Sequence, residues 1–544
     1  MAKLVSVEQM QSIERMADKN GLSYKKMMEN AGNALAKKIK SIAHRYFAND
    51  VSIVGLVGPG NNGGDTLIAL SNLANSFSQV TCYLLYKKAE QIELIDSVSR
   101  NGGKIVYRED DSDFKILTKI INENEILLDG VLGTGIKLPL HDDVKDFLAL
   151  VKSTVEGQEF PPIIIAVDCP SGVDNDTGES AAETISADFT VCMAAVKQGL
   201  LKLPAYQHIG ELIVVEIGLT KKNSEIYNIT NNVASHKVVD SFKVARPLDS
   251  HKGTFGTCMI VAGSSSYTGA ALLAGKAAYR VGSGLVTIAI PSVLHAIIAG
   301  HLPEATWILL PNEMGSISEP GANVLMSYID NADSLLIGCG LGIENTTFEF
   351  MKSLLYKDNR TISDQTRIGF IHTSDSKDIK KKLELPPLVI DADGLNLLNR
   401  ISGWSKLLPE NSILTPHPGE MSMLTGIPKE DIQKDRLNIA RKFSSEWNAI
   451  VVLKGAFTVI ASPGGDTTTI PIATQALARA GSGDVLAGMI SGFLAQGVQP
   501  YNAAIAGAWY HAQAGLLAAE KLGCTESVIA SDIVDAINEA LTSV

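Results

Sequence analysis

At 544 residues the chain exceeds the roughly 250 to 300 that one hydrophobic core usually serves, so two large domains are expected. With 45% hydrophobic and 19% charged residues it reads as globular, and 47 glycines suit an α/β protein with many strand-to-helix turns. A formal charge of −12 argues against a nucleic-acid footprint, and the dense basic run Lys380 to Lys382 reads as a solvated helix face. The six cysteines form no CxxC pair and mostly sit in apolar, strand-like runs, as reduced, buried thiols do. The N-terminus MAKLVSVEQM has no apolar signal core, and no apolar run reaches the roughly 18 residues of a membrane span. A cytoplasmic protein without nucleic-acid or membrane partners is expected.

In chain order, Ser6 to Gln9 fits a capping box opening a first helix, and the stretch from Met27 to Phe47 continues as a second, amphipathic one. The period then shortens. Strands are predicted at Val51 to Val57, Val80 to Leu85, Ile126 to Leu128 and Ile163 to Val167, spaced widely enough for crossover helices. This is the pattern of a doubly wound parallel sheet, a Rossmann-like three-layer α/β/α domain with its ligand crevice at the carboxyl ends of the strands. Lys221 to Val239 is polar and without period, so domains are placed at 1–220 and 240–544 with 221–239 as linker. Beyond it βα alternation resumes, with glycine turns at Gly253 to Gly256, Gly263 to Gly269, Gly338 to Gly342 and Gly481 to Gly488.

Three strand-end clusters in the first half belong together: Asn61, Asn62, Gly63, Gly64 and Asp65; DGVLGTG from Asp129; and DCPSG from Asp168. Each follows an apolar run, so all three should meet on one face of the sheet. Their glycines can wrap a pyrophosphate, and oxygens of Asn62, Asp129 and Ser171 can surround a hard cation of the alkali or alkaline-earth type. Taken singly, each cluster reads more readily as a turn former, and the three in register favour a site.

The segments LVGPGNNGGDTLIAL, DGVLGTG and VDCPSGVD, with the upstream MMENAG, resemble the YjeF N-terminal family, the NAD(P)H-hydrate epimerases, over roughly residues 1 to 220. The resemblance implies potassium on Asn62, Asp129 and Ser171, and a hydrate site lined by Asn61, Asn62, Gly63, Gly64, Asp65 and Thr66. Gly133, Thr134, Gly135, Ile136, Lys137, Leu138 and Pro139 would complete it, with Asp168 at the reacting ring. Thr66 stands where the family often has glycine, a change expected to narrow the pocket.

In the second half AGSGDVLAG, from Ala480 to Gly488, carries the most chemistry. Small residues running into a helix let consecutive N–H groups and the helix N-terminus approach an anion. Asp484 at that opening is placed to take a proton from an attacking hydroxyl during phosphoryl transfer, or simply to cap the helix. With HKGTFGTCMIVAGSSSYTGAALLA from His251, PLVIDADGLNLL from Pro387, ILTPHPGEMSMLTG from Ile413 and VVLKGAFTVI from Val451, the loop resembles the ribokinase-like ADP/ATP-dependent NAD(P)H-hydrate dehydratases over roughly residues 240 to 540. A ribokinase-like α/β domain using ADP or ATP, with ADP favoured, and Mg²⁺ follows from that resemblance. It implies Ala270, Gly340, His417 and Asp484 at the hydrate. It also implies Lys454, Gly455, Ala456, Phe457, Thr458, Gly481, Ser482 and Gly483 at the nucleotide. IATQALARAGSGD departs from the asparagine- and glycine-rich approach common in relatives.

His417 stands between two prolines, which suits a side chain held at a ligand, and Glu420 could support magnesium through water. Asp391 and Asp393 read equally as helix caps or as catalytic groups; His251 and Lys252 read equally as a solvated turn. Lys454 reads as a phosphate ligand or as a strand-end lysine in solvent. A homo-oligomer acting on small molecules is expected. Two alternatives differ in class: a small-molecule kinase of a vitamin precursor, which would also use the loop and Asp484, and a non-catalytic binding module in the first half. Loss of the NNGGD, Asp129 or DCPSG residues would favour the module, and none is lost.

Overall fold

The structure, a computed structural model, describes residues 1–48, 51–356 and 384–542, so the basic run at 380–382 lies outside the described residues. The chain forms two compact units, Met1–Val233 and Ala234–Val544. The dividing point falls inside the stretch expected as a linker, and that stretch is not structureless. It carries a 3-10 turn at Glu225–Asn228, a strand at Asn231–Val233 and a short helix at His236–Asp240. Its polarity hid the fact that Asn231–Val233 pairs antiparallel with the N-terminal strand Ala2–Val5.

In the first unit, Ser6 and Gln9 form the expected capping box on helix Val7–Lys19. The following amphipathic helix starts at Tyr24, three residues earlier than its apolar period suggests, because Ser23 caps it. Seven parallel strands follow in the order Lys104–Tyr107, Gln79–Leu84, Ser52–Val57, Ile126–Gly130, Ile163–Val167, Phe189–Met193, Glu211–Val215. Most of these strands are buried on both faces, which is why they read as continuous apolar runs. Helices Tyr24–Tyr46 and Asn61–Leu73 cover one face, and Lys115–Asn122 and Asp142–Glu156 the other. Strand order reverses between Ser52–Val57 and Ile126–Gly130, opening a crevice at their carboxyl ends.

The second unit is also built on a largely parallel array of strands. Seven parallel strands run Thr306–Leu310, Leu285–Pro291, Thr257–Val261, Ser334–Ile337, Leu388–Ile390, Ile413–Leu414, Ile450–Leu453. Val459–Ala461 and Thr467–Thr469 extend it antiparallel. Helices Ala270–Arg280, Ser482–Ala495 and Pro500–Leu522 form an alanine- and glycine-rich layer on one face. Among the described residues no helix is long and apolar enough to cross a membrane. Five cysteines are buried and free as expected; Cys524 is free but partly exposed, because it follows the helix end at Leu522 instead of lying in a strand.

Candidate active sites

In the first unit the three strand-end clusters converge. Asp129, at the end of Ile126–Gly130, accepts hydrogen bonds from the Ser171 backbone N–H at 2.7 Å and the Ser171 hydroxyl at 2.5 Å. Ser171 Oγ accepts from Leu132 N at 2.9 Å, and the Asn62 amide donates to the Leu132 carbonyl at 2.8 Å. That leaves Asn62 Oδ1 buried without a partner. Burial raises the Asp129 carboxyl, opposed by the hydrogen bonds from Ser171. An orphaned oxygen, a buried carboxylate and a serine oxygen form a hard donor set that fits an alkali cation.

The approach of these loops depends on glycine. A Cβ at Gly58 would lie 1.8 Å from the Val131 carbonyl oxygen, and one at Gly63 2.0 Å from that of Gly58. Gly60 caps helix Asn61–Leu73, so exposed Asn61 and the helix N-terminus face the crevice, and Gly133 to Pro139 form the partly exposed loop across it. Thr66 corrects an expectation. It is fully buried, its hydroxyl donating to the Asn62 carbonyl at 2.8 Å and lying where a Cβ at Gly130 would fall, so it neither lines nor narrows the crevice.

Asp168 sits at φ 64, a strained backbone for a non-glycine residue that is common at functional sites. Its Oδ1 accepts from Met193 N at 2.8 Å and from the Lys197 ammonium. Burial alone would lower Lys197, but Asp168 holds it above its ordinary value. Asp65 is pushed well above the carboxylate range by burial and then by Asp168 and Glu14, and Glu14 is raised by burial too. Lys197 and Glu14 escaped the sequence reading: one is a lone lysine ending the short strand Ala195–Lys197, the other a helix residue with no motif around it.

In the second unit the groups again gather at strand carboxyl ends. Helix Ser482–Ala495 opens from Gly481 at φ 87 and presents its N-terminus together with Asp484. Asp484, Asp391 and Cys339 bring ligand atoms within 4.8 Å of one another. Burial, then Asp391, raises Asp484 to about 6. Burial, then Asp484, raises the Cys339 thiol well above its ordinary value, so these three groups form one tightly coupled cluster at the strand ends.

Lys454 is not a strand-end lysine in solvent. It pairs with Asp391 at 2.6 Å and lies 3.6 Å from Glu420, and burial working against its charge is outweighed by these two carboxylates. Asp391 also accepts from the Thr415 hydroxyl at 2.7 Å, and Asp393 from Gly342 N at 2.9 Å, so both tie neighbouring strand ends together. A Cβ at Gly483 would lie 3.7 Å from Lys454 Nζ, placing the loop over this ion pair.

His417 is fixed for another reason than a ligand. Its Nδ1 accepts from Gly419 N and Glu420 N at 2.9 and 3.1 Å, capping helix Pro418–Thr425, while Glu420 accepts from His417 N at 2.7 Å. The ring is exposed, and its Nε2 lies 3.6 Å from Glu420 Oε1. Ser482 turns its hydroxyl inward to the Leu477 and Arg479 carbonyls, so only its backbone can reach a phosphate. His251 caps a short exposed turn through Gly253 N at 3.1 Å, and Lys252 is exposed beside it. A Cβ at Gly340, φ 62, would lie 2.9 Å from that of Ala270, so these two do adjoin. Gly455 and Ala456 are exposed, Phe457 is buried at φ 57, and Thr458 bonds the Gly455 carbonyl at 3.0 Å.

Two supports beneath the site were also missed. Arg436 donates to the Leu453 and Lys454 carbonyls at 2.8 and 3.2 Å, and His511, lowered to about 4 by burial, meets the Ser482 backbone. Both sit on helices whose sequence is dominated by other periodicities.

Comparison with known proteins matches each half of the chain to a family. The family described as NAD(P)H-hydrate dehydratase matches residues 258–539, and the one described as YjeF-related protein N-terminus matches residues 24–199. The bifunctional NAD(P)H-hydrate repair enzyme of Moorella thermoacetica is 32% identical over 98% of this chain and 95% of its own. That of Salinibacter ruber is 32% identical over 97% and 94%. Among solved structures, the ADP/ATP-dependent NAD(P)H-hydrate dehydratase of Bacillus subtilis, co-crystallised with ATP and Mg²⁺, is 28% identical, covering 57% of this chain and 97% of its own at a TM-score of 0.45. The chain, matched almost end to end and in both its halves, belongs to the bifunctional NAD(P)H-hydrate repair enzymes.

Proposed function

We propose that the two activities of this repair enzyme divide between the units, epimerisation of hydrated NADH and NADPH in the first and nucleotide-dependent dehydration in the second. Hydration leaves a hydroxyl on C6 beside the ring nitrogen, a carbon that can invert, so a stereospecific dehydratase needs an epimerase to recover both forms.

In the first unit the pyrophosphate lies against the Asn61–Leu73 N-terminus and the ring at Asp168, whose pairing with Lys197 provides a proton acceptor and donor at the inverting centre. Potassium on Asn62, Asp129 and Ser171 would supply fixed positive charge near the phosphates. The partnerless Asn62 oxygen supports that assignment.

In the second unit Asp484 takes the proton of the C6 hydroxyl as its oxygen attacks the terminal phosphoryl group of the nucleotide. Backbone N–H groups of Gly481 to Gly483 steady the transferring group. The ring nitrogen's electron pair then expels phosphate from C6, and loss of a C5 proton restores the dihydronicotinamide. With ADP as donor, AMP leaves. Lys454 orients Asp391 and lends its charge to the phosphates. Asp391 and Glu420 share that lysine, so the protein offers few free oxygens to magnesium, which on this reading arrives with the nucleotide.

The observation that carries the reading is Asp484, a carboxylate raised to about 6 at a helix N-terminus. Mixed hydrate epimers, each nucleotide and the protein, followed by absorbance of reduced nicotinamide, test it. Full recovery with ADP is expected; faster recovery with ATP than with purified ADP would overturn the donor assignment.

A further inference from the structure

A cavity of about 470 Å³ opens in the first unit at the carboxyl ends of strands Gln79–Leu84 and Lys104–Tyr107. Nothing in the reaction chemistry uses it. The reading above places the reacting ring at the end of strand Ile163–Val167 and the pyrophosphate at the strand-order reversal beside Ser52–Val57. Strand Gln79–Leu84 lies three positions from Ile163–Val167 in the sheet, about 14 Å at the usual spacing. A dinucleotide laid from Asp168 across the reversal therefore points its far half at this cavity.

The cavity has the chemistry of that half. Tyr86 and Tyr107 offer aromatic faces, and the chain leaving strand Gln79–Leu84 runs Tyr86, Lys87, Lys88 where a receptor for an unphosphorylated ribose carries an acidic residue. Lys87 sits over the Tyr107 ring, 5.0 Å to its centroid, and Arg108 over Phe114 at 3.8 Å, so each cation is positioned by a ring. Arg108 is further anchored to the Asp111 carbonyl at 2.7 Å, which leaves the rest of its donor fork for a ligand. Glu109, Asp143 and Asp146 also line the space and supply acceptors for an exocyclic amine and a ribose hydroxyl.

We propose that this cavity binds the adenosine half of the hydrate, with Lys87 and Arg108 receiving a 2′-phosphate, so that the first unit favours hydrated NADPH over hydrated NADH. The proposal rests on the epimerase reading of this unit.

Epimerisation of each hydrate is followed chromatographically with no nucleotide present, so that the second unit is idle, in wild type, Lys87→Ala and Lys87→Glu. Wild type should show the lower KM for hydrated NADPH. Lys87→Ala should raise that KM about tenfold at constant kcat, the loss of one charge-assisted bond, and leave hydrated NADH unchanged. Lys87→Glu should erase or invert the preference. Equal KM values in wild type, or equal effects of the variants on both hydrates, would overturn the subsite while leaving the epimerase reading intact. Failure of wild type to interconvert either hydrate faster than buffer would instead overturn the epimerase reading, and the subsite with it.

Discussion

Asp484 combines a proton affinity tuned toward neutrality with a position at a helix N-terminus, and two outcomes follow from that pairing. Asp484→Asn should lower dehydration by about 10²- to 10⁴-fold while epimerisation continues, because the loop backbone remains but the base is gone. The kcat/KM of dehydration should rise with pH through about 6 and then level, since the deprotonated form is the base. A profile flat from pH 5 to 7 would assign that ionisation elsewhere. The same group carries a stability sign. Its folded pKa lies above the unfolded value, so its contribution is most favourable below about pH 4 and is lost as pH rises through about 6. Asp484→Asn should accordingly stabilise the fold at pH 7 by about 1 to 3 kcal/mol, and not at pH 4. In the first unit the buried Lys197–Asp168 pair behaves differently. Lys197→Met should cost about 3 to 5 kcal/mol by leaving a charge unpaired, and adding Asp168→Asn should restore much of it. Thermal unfolding followed by circular dichroism measures both.

At the scale of elements, the sites stand on close contacts between backbones. Helix Ser482–Ala495 crosses Ala270–Arg280 where a Cβ at Gly488 would lie 2.3 Å from the Ala274 carbonyl oxygen. Gly488→Ala should therefore push Asp484 off its cluster, lowering dehydration and costing about 1 to 3 kcal/mol. All four tryptophans, at 307, 404, 447 and 509, lie in this unit, so their fluorescence during urea unfolding reports it. Alternation of apolar strands and glycine turns made these elements legible, because parallel strands buried on both faces leave continuous apolar runs. Asn231–Val233 was not legible: a three-residue polar strand has no period, and its partner Ala2–Val5 lies more than two hundred residues away.

Across the whole molecule the two chemistries occupy separate cores, so lesions in one should spare the other. Asp129→Ala should cripple epimerisation yet leave dehydration of one epimer at its wild-type rate, with the other accumulating. Consumption of both epimers faster than they interconvert unaided would count against Asp129 as part of the epimerase. Potassium should also raise the wild-type melting temperature more than sodium does, and Asp129→Ala should remove the difference, since an ion bound only by the folded state stabilises it.

By itself the sequence determined the α/β class, the two halves, the strand-end location of Asn62, Asp129, Asp168 and Ser171, and the loop carrying Asp484. These are local features: period, glycine turns and a helix opening are written in neighbouring residues. Tertiary structure alone decided which polar groups meet. It paired Lys197 with Asp168 and Lys454 with Asp391, set Cys339 beside Asp484, buried Thr66 and Ser482, and left the Asn62 oxygen without a partner. The physical reason is that a charge's partner and its burial depend on strands and helices brought together from distant parts of the chain, and no local pattern encodes that distance.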